Sequence, residues 1–281
     1  MSNTNHNQAG PKPAPRLDTI QLVAIDMDGT LLNSQHQLSP GNEAALCRAL
    51  ENGVKIVFAT GKTRTSAVPI IEKLKLDTPG VYSQGLVITH GDGSILYERT
   101  LAAVLAHKVA AFAQAVNCSM VAYSGPDIVT SVRDQYTDVF INYHEPAPIA
   151  YGSWTAVFTA RRVNKFIIVS TKERIDQIRP QLEQTIGQEA TIVQALDYMV
   201  EILPPGASKG DGLRRVLAHL QIDPAQVMAL GDGENDVEML QLAGLGVAMG
   251  NGMPAAKKAA DVVTATNDED GVAQALARFL W

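Results

Sequence analysis

The chain has 281 residues, 46% hydrophobic and 19% charged, enough for one large or two modest domains with real cores. Its 23 Lys and Arg against 29 Asp and Glu give a net charge of −6, with no electrostatic footprint for nucleic acid or an anionic membrane, so any bound anion must be gripped by local groups. No apolar run reaches the length of a membrane span, and Cys47 and Cys118 show no metal or redox spacing, which suits reduced thiols in the cytoplasm.

Residues 1–19 are polar, carry Pro11, Pro13 and Pro15, and lack the apolar stretch of a secretory signal; a disordered tail is expected. Leu22-Val23-Ala24-Ile25 then reads as a buried strand that runs out into Asp26-Met27-Asp28-Gly29-Thr30. Two residues apart in an extended chain, Asp26 and Asp28 project to the same side. Like charges that close repel unless a cation lies between them or one holds a proton. The pair implies a metal site, an acid/base pair, or both.

Ser39 is a candidate N-cap for a helix from Pro40 to Asn52, with Gly53 at its end, and Val54 to Ala59 is a second buried strand. Strand, helix, strand in this space is a βαβ unit of a parallel sheet. Short strands follow near 80–83 and 86–88. Past Gly93 the pattern changes: a helix over 100–116, strands over 120–123 and 163–170, and a charged helix over 172–186. Residues 90–195 are therefore expected to form an inserted α+β domain, with 20–89 and 196–281 as the core. The βα rhythm returns at Met199–Leu203, with a helix from Lys209 to Leu220, a strand over 227–230, a helix from Val237 and a short strand near 246–248.

Three more polar groups sit at element ends. At Thr60-Gly61 a hydroxyl and free backbone amides are placed to grip an anion, helped by the N-terminus of the next helix. Lys209, at a helix start, offers an ammonium as a point charge. Asp232 and Asp236 fall i and i+4, on one face of a helical turn. A hard cation such as Mg²⁺ prefers a few carboxylates plus water and substrate phosphate, and Asp26, Asp232 and a backbone carbonyl supply that set. Each group alone has an ordinary reading as a turn, a surface lysine or a cap; their joint order does not. Gly61-Lys62-Thr63 imitates the end of a Walker A loop, but Ile56 stands where that loop needs glycine, and the glycines after Gly244 miss the dinucleotide spacing.

These four stations, Asp26-Met27-Asp28-Gly29-Thr30, Thr60, Lys209 and Gly231-Asp232-Gly233-Glu234-Asn235-Asp236, resemble the haloacid dehalogenase superfamily of Mg²⁺-dependent phosphatases. Glu201 to Gly210, Gly246 to Asn251 and Thr266 to Gly271 look like its Cof-like branch, whose C2 (type IIB) α/β cap is inserted between the second and third motifs. The likeness covers almost everything after the tail. It implies a Rossmann-like parallel-sheet α/β core with an α+β cap that sets substrate specificity. It implies Asp26 as nucleophile, Asp28 as general acid and base, and Mg²⁺ held by Asp26, Asp232 and the Asp28 carbonyl, with Asp236 behind those ligands. Thr60, Gly61, Lys209 and Asn235 are implied to bind the phosphoryl group of a small phosphorylated metabolite. Asp28 separates the chain from ATPase relatives, which carry Thr there. Lys62 replaces the usual Arg of the second motif, Gln84-Gly85-Leu86 the usual Asn-Gly-Ala, and Gly252 a common Ala. Rival readings are a sugar-phosphate phosphotransferase or mutase and a non-catalytic phospho-ligand sensor. His90, Tyr143 and His144 are guesses at cap contacts, and oligomeric state is not legible.

Overall fold

A computed structural model describes residues 20–281; the expected tail over 1–19 lies outside the described residues. The chain opens with β1 (Leu22–Ile25), α1 (Pro40–Glu51), β2 (Lys55–Phe58) and α2 (Arg64–Leu74). Ser39 caps α1 through its hydroxyl, which accepts from Asn42 N–H at 3.1 Å, and Gly53 at φ +81° ends the helix in a conformation open to glycine. The strands β3 (Gly80–Tyr82), β4 (Val87–Thr89) and β5 (Ile95–Glu98) form a small antiparallel sheet joined to β2 by the bridge Ala59–Val81.

The middle of the chain builds α3 (Ala103–Ala115), β6 (Ser119–Ser124), β7 (Asp127–Thr130), α4 (Val139–Asn142), β8 (Ile149–Ala150), α5 (Trp154–Ala160), β9 (Lys165–Val169), α6 (Lys172–Ile186), β10 (Thr191–Leu196) and β11 (Met199–Leu203). The chain closes with α7 (Lys209–Leu220), β12 (Val227–Gly231), α8 (Val237–Leu242), β13 (Leu245–Ala248), α9 (Pro254–Ala259), β14 (Val262–Val263) and α10 (Gly271–Leu280).

The core sheet has the order β14-β13-β12-β1-β2, all parallel. Leu22 and Ala24 enter one apolar cluster, Val23 and Ile25 another on the opposite face, so β1 is buried from both sides, as a parallel sheet demands. Leu22, Val23 and Ile25, fully buried, each contribute roughly 1.5–3 kcal/mol relative to exposure. From β1 the chain moves outward to β2 and later returns to β1's other flank as β12. The carboxyl ends of β1 and β12 therefore flank the topological switch point, where a crevice opens in sheets of this kind.

A six-stranded sheet, order β10-β11-β9-β6-β7-β8, makes the second domain. One face, with Met120, Ala122, Phe166, Ile168, Val200 and Ile202, is packed in one cluster with residues of α3, α5 and α6. By strand alternation the other face carries Tyr123, Lys165, Ile167, Met199 and Glu201.

Two assignments made from the sequence change here. Met199–Leu203, read as the return of the core rhythm, pairs with β9 and β10 in the second sheet. Ile95–Glu98, read as part of the insert, pairs with β4 beside the core. The apolar run Met199–Leu203 is compatible with a central strand of either sheet, Ile95–Glu98 is a half-exposed edge strand, and the partners of both are set by long-range packing that periodicity does not record.

Candidate active site

Asp26 follows β1 and Asp232 follows β12, so the pairing of Ile25 with Leu230 sets the two carboxylates side by side at the switch point. Asp236 closes the group: one oxygen from each of Asp26, Asp232 and Asp236 lies within 4.8 Å of the others. Gly29, at φ +77°, lets the first loop turn against this cluster; a Cβ there would fall onto the Asp232 carboxylate. Thr30 Oγ1 donates to Asp232 Oδ1 at 2.9 Å, and Asn251 Nδ2 donates to the Gly29 carbonyl at 2.8 Å, bracing the loop from both ends.

Lys209 is the first residue of α7, whose cap Ser208 accepts from Asp211 N–H at 3.1 Å. Its buried ammonium lies 2.7 Å from Asp26 Oδ1 and 2.7 Å from Asp236 Oδ1. Burial works against that charge, yet Asp236 and Asp26 together hold the Lys209 pKa above the ordinary lysine value. For Asp26 burial dominates and, with Asp236 and Asp232 nearby, pushes its pKa well above the carboxylate range despite Lys209. Asp232 is raised too, by burial and then by Asp236. Buried carboxylates that resist ionisation this close together are a fit for a hard cation bound by oxygen.

Asp236 does not share a helical face with Asp232. It ends a short 3-10 turn over Glu234–Asp236, and its Oδ2 folds back to accept from Asp232 N–H at 3.0 Å and Gly233 N–H at 2.9 Å. With Oδ1 on Lys209, both oxygens are engaged. The i, i+4 spacing predicts a shared helical face, but the chain turns before the helix begins and the side chain caps the turn.

The second motif also differs from expectation in one respect. Thr60 Oγ1 accepts from Lys62 N–H at 3.1 Å, which leaves the hydroxyl proton of Thr60 free to donate. The N-terminus of α2, expected to help hold an anion, is taken by a buried carboxylate of the second domain. Glu145 accepts from Thr63 N–H at 3.0 Å, Thr63 Oγ1 at 2.6 Å, Ser66 Oγ at 2.5 Å and, from its own domain, Tyr123 O–H at 2.9 Å. A carboxylate suits the positive end of a helix dipole.

Asp26, Asp28, Thr60, Gly61, Lys209, Asp232 and Asn235 line one cavity of about 320 Å³ between the two domains. The second domain contributes Tyr123, Phe140, Tyr143, Glu145, Lys165, Ile167, Met199 and Glu201 to the same wall. Lys165 Nζ donates to Glu201 Oε2 at 2.8 Å and to the Gly61 carbonyl at 2.9 Å, 4.2 Å above the Tyr123 ring. Asn235 Nδ2 donates to Gln84 Oε1 at 3.1 Å, and Gln84 reaches Glu201 at 3.4 Å. Asp28 Oδ1 accepts from Lys62 Nζ at 2.9 Å and faces His36 Nδ1 at 2.9 Å. Of the guessed cap contacts, Tyr143 lines the cavity and His144 packs on His36, whereas His90 lies edge-on to His219 outside it.

Sequence reasoning missed His36, Tyr123, Glu145, Lys165 and Glu201. A usable signal existed for two: Lys165 opens the apolar run Lys-Phe-Ile-Ile-Val and Glu201 interrupts Met-Val-Glu-Ile-Leu. A charge inside a fully buried strand needs a partner.

The two cysteines form no disulfide, and among the described residues no helix is long and apolar enough to cross a membrane. The family profile of the haloacid dehalogenase-like hydrolases matches residues 23–276. The chain is 38% identical, over 92% of its length, to the Arabidopsis thaliana protein named "Endoribonuclease YBEY, chloroplastic", but spans only 46% of that protein. It is 33% identical to the HMP-PP phosphatase of Cronobacter sakazakii, covering 83% of this chain and 85% of that one. A haloacid dehalogenase-like hydrolase from Bacteroides thetaiotaomicron superposes with a TM-score of 0.83 at 31% identity, over 92% of this chain and 99% of the other.

Proposed function

From the premise that this chain belongs to the haloacid dehalogenase-like hydrolases as a Cof-like phosphatase, we propose that it hydrolyses a small phosphorylated metabolite through an aspartyl-phosphate on Asp26, with Mg²⁺ as cofactor. The observation that carries this reading is the meeting of Asp26, Asp232 and Lys209 at the switch point, with Asp28 on the same cavity wall. The ribonuclease name of the plant relative carries no activity across, because more than half of that protein lies beyond the match. The name of the bacterial relative supports a substrate in the class of small phosphorylated metabolites. Two cysteines without a disulfide suit a reducing compartment, and we place the reaction in the cytoplasm.

Asp26 attacks phosphorus, forming an acyl-phosphate bond while the bond to the leaving oxygen breaks. Lys209 on its Oδ1 fixes the carboxylate's orientation. Asp28 hands a proton to the leaving alcohol, then takes one from the water that splits the acyl phosphate and restores Asp26. The Thr60 hydroxyl, the Gly61 amide, an N–H of Lys209 and the second N–H of Asn235 Nδ2 bind phosphoryl oxygens, where developing charge is stabilised by prepositioned donors. Mg²⁺, held by Asp26, Asp232 and the Asp28 carbonyl, would neutralise charge on the transferring group. Asp236 acts behind them, setting Lys209 and the Asp232 loop in place. The second domain closes the cavity, excludes water and reads the leaving group.

The test is phosphate release from a panel of phosphomonoesters with Mg²⁺ or EDTA. Mg²⁺-dependent release is expected. Transfer to a sugar acceptor without free phosphate would point to a mutase, and tight binding without turnover to a sensor.

A further inference from the structure

His36 joins the two domains at the carboxylate proposed for proton transfer. It sits on the loop that follows the first acidic pair, eight residues beyond Asp28, with Nδ1 at 2.9 Å from Asp28 Oδ1. Lys62 Nζ shares that oxygen at 2.9 Å, so Oδ1 is the anchored atom and Oδ2 is left to meet the leaving oxygen. The Asp28 side chain is 33% exposed, so contacts rather than burial must set its orientation. An ammonium is a point charge and tolerates rotation of the carboxylate, whereas a ring N–H has one direction, provided the ring itself is held.

The second domain supplies that hold. The His36 ring lies edge-on to Tyr143, with centroids 5.5 Å apart and planes at 83°, and to His144, at 6.0 Å and 77°. Tyr143 hydroxyl meets Tyr198 hydroxyl in the turn between β10 and β11. Glu145, the residue after His144, is the carboxylate seated on Thr63 and Ser66. His36 and His144 both take left-handed backbone, φ +56° and +58°. Conformations of this cost in non-glycine residues persist where the surroundings impose them, and they gather at functional sites.

We propose that His36 is a positioning residue that orients Asp28 for proton transfer only while the second domain is packed against it. This rests on the role given to Asp28 above. When Tyr143 and His144 withdraw, the ring loses its support, Asp28 is left to Lys62 alone, and protonation of the leaving group becomes inefficient. A domain that reads the leaving group thereby also arms the acid that protonates it.

The experiment compares kcat/KM for an alkyl phosphomonoester, whose leaving alkoxide needs a proton, with p-nitrophenyl phosphate, whose leaving group does not. His36→Gly accepts φ +56° without strain and removes the ring. His36→Asn also tolerates that backbone and returns a donor near the Nδ1 position. The expected result is a loss in His36→Gly at least about tenfold larger for the alkyl ester, within the range general acid catalysis supplies. His36→Asn should restore most of it, and Tyr143→Leu, which removes the ring that His36 packs against, should show the same bias. Equal losses on both substrates in His36→Gly would overturn the proposal, and an unbiased Tyr143→Leu would overturn its dependence on the second domain. An Asp28→Asn variant without the bias would overturn the role of Asp28 itself, a failure distinct from that of His36.

Discussion

Lys209 Nζ stands 2.7 Å from Asp26 Oδ1 and 2.7 Å from Asp236 Oδ1, a buried ammonium bracketed by two buried carboxylates. The three come from the start of α7, the end of β1 and the turn before α8. Only the folded sheet brings them together, so the arrangement both ties three elements and, through Asp26 and Lys209, lines the cavity.

Removing the cation tests that double role. Lys209→Met leaves Asp26 and Asp236 facing each other without compensation, and breaking a buried pair from one side costs about 3–5 kcal/mol. Urea denaturation in EDTA should show that loss, and millimolar Mg²⁺ should recover part of it. A variant as stable as wild type in EDTA would contradict the pairing.

The raised pKa values of Asp26 and Asp232 add a pH-dependent contribution to the stability of the metal-free protein. A carboxyl that is harder to ionise when folded binds more protons in the native state than in the unfolded one. The stability that these two groups contribute is then fully present below the ordinary aspartate value of about 4 and is lost as pH rises towards their folded values. Binding of Mg²⁺ requires the ionised forms, so it should release protons and strengthen with pH over the same interval. Calorimetry in buffers of different ionisation enthalpy measures the proton count; a count of zero throughout would contradict the account.

Gly29→Ala combines a left-handed backbone with a Cβ aimed at the Asp232 carboxylate. Strain of this kind costs on the order of 1–3 kcal/mol. Weakened Mg²⁺ affinity is expected together with lower stability, because relief of the clash must move Asp232. Mg²⁺ titration followed by thermal shift reads both. Unchanged affinity would show that Asp232 is not tied to this loop.

The pair Lys165–Glu201 makes a different prediction, since the two side chains are 1% and 9% exposed. Lys165→Met should destabilise by roughly 3–5 kcal/mol, and adding Glu201→Leu should recover much of that, because a buried ion pair replaced whole is often neutral. Chemical denaturation of the single and double variants checks it. A double variant less stable than the single would mean Glu201 is held by Gln84 and not by Lys165.

The catalytic-core half of the site was legible because each station is local in sequence: a strand, a glycine turn and a polar residue within a few positions. Asp26, Thr60, Lys209, Asp232 and Asn235 all line the expected crevice. The wall contributed by the second domain was legible only as two charges inside buried strands, Lys165 and Glu201, with no sign of what they face. Tyr123, Glu145, Lys165 and Glu201 lie on four separate segments: Tyr123, Lys165 and Glu201 meet across neighbouring strands of the second sheet, and Glu145 reaches over to the start of α2. Glu145 shows the limit well: nothing in its own segment signals that it caps a helix starting at Arg64. The same holds for Asp236, whose spacing predicts a helix although its carboxylate closes a turn on the Asp232 and Gly233 amides.

The most direct measurement is to identify the atom that receives the phosphoryl group. Asp28→Asn enzyme is mixed with Mg²⁺ and a labelled aryl phosphate, quenched in acid, reduced with borohydride and digested. The account predicts label retained before reduction and conversion of Asp26 to homoserine in the peptide that contains it. Turnover by the wild type with label on another residue, or a covalent adduct that survives Asp26→Asn, would contradict it.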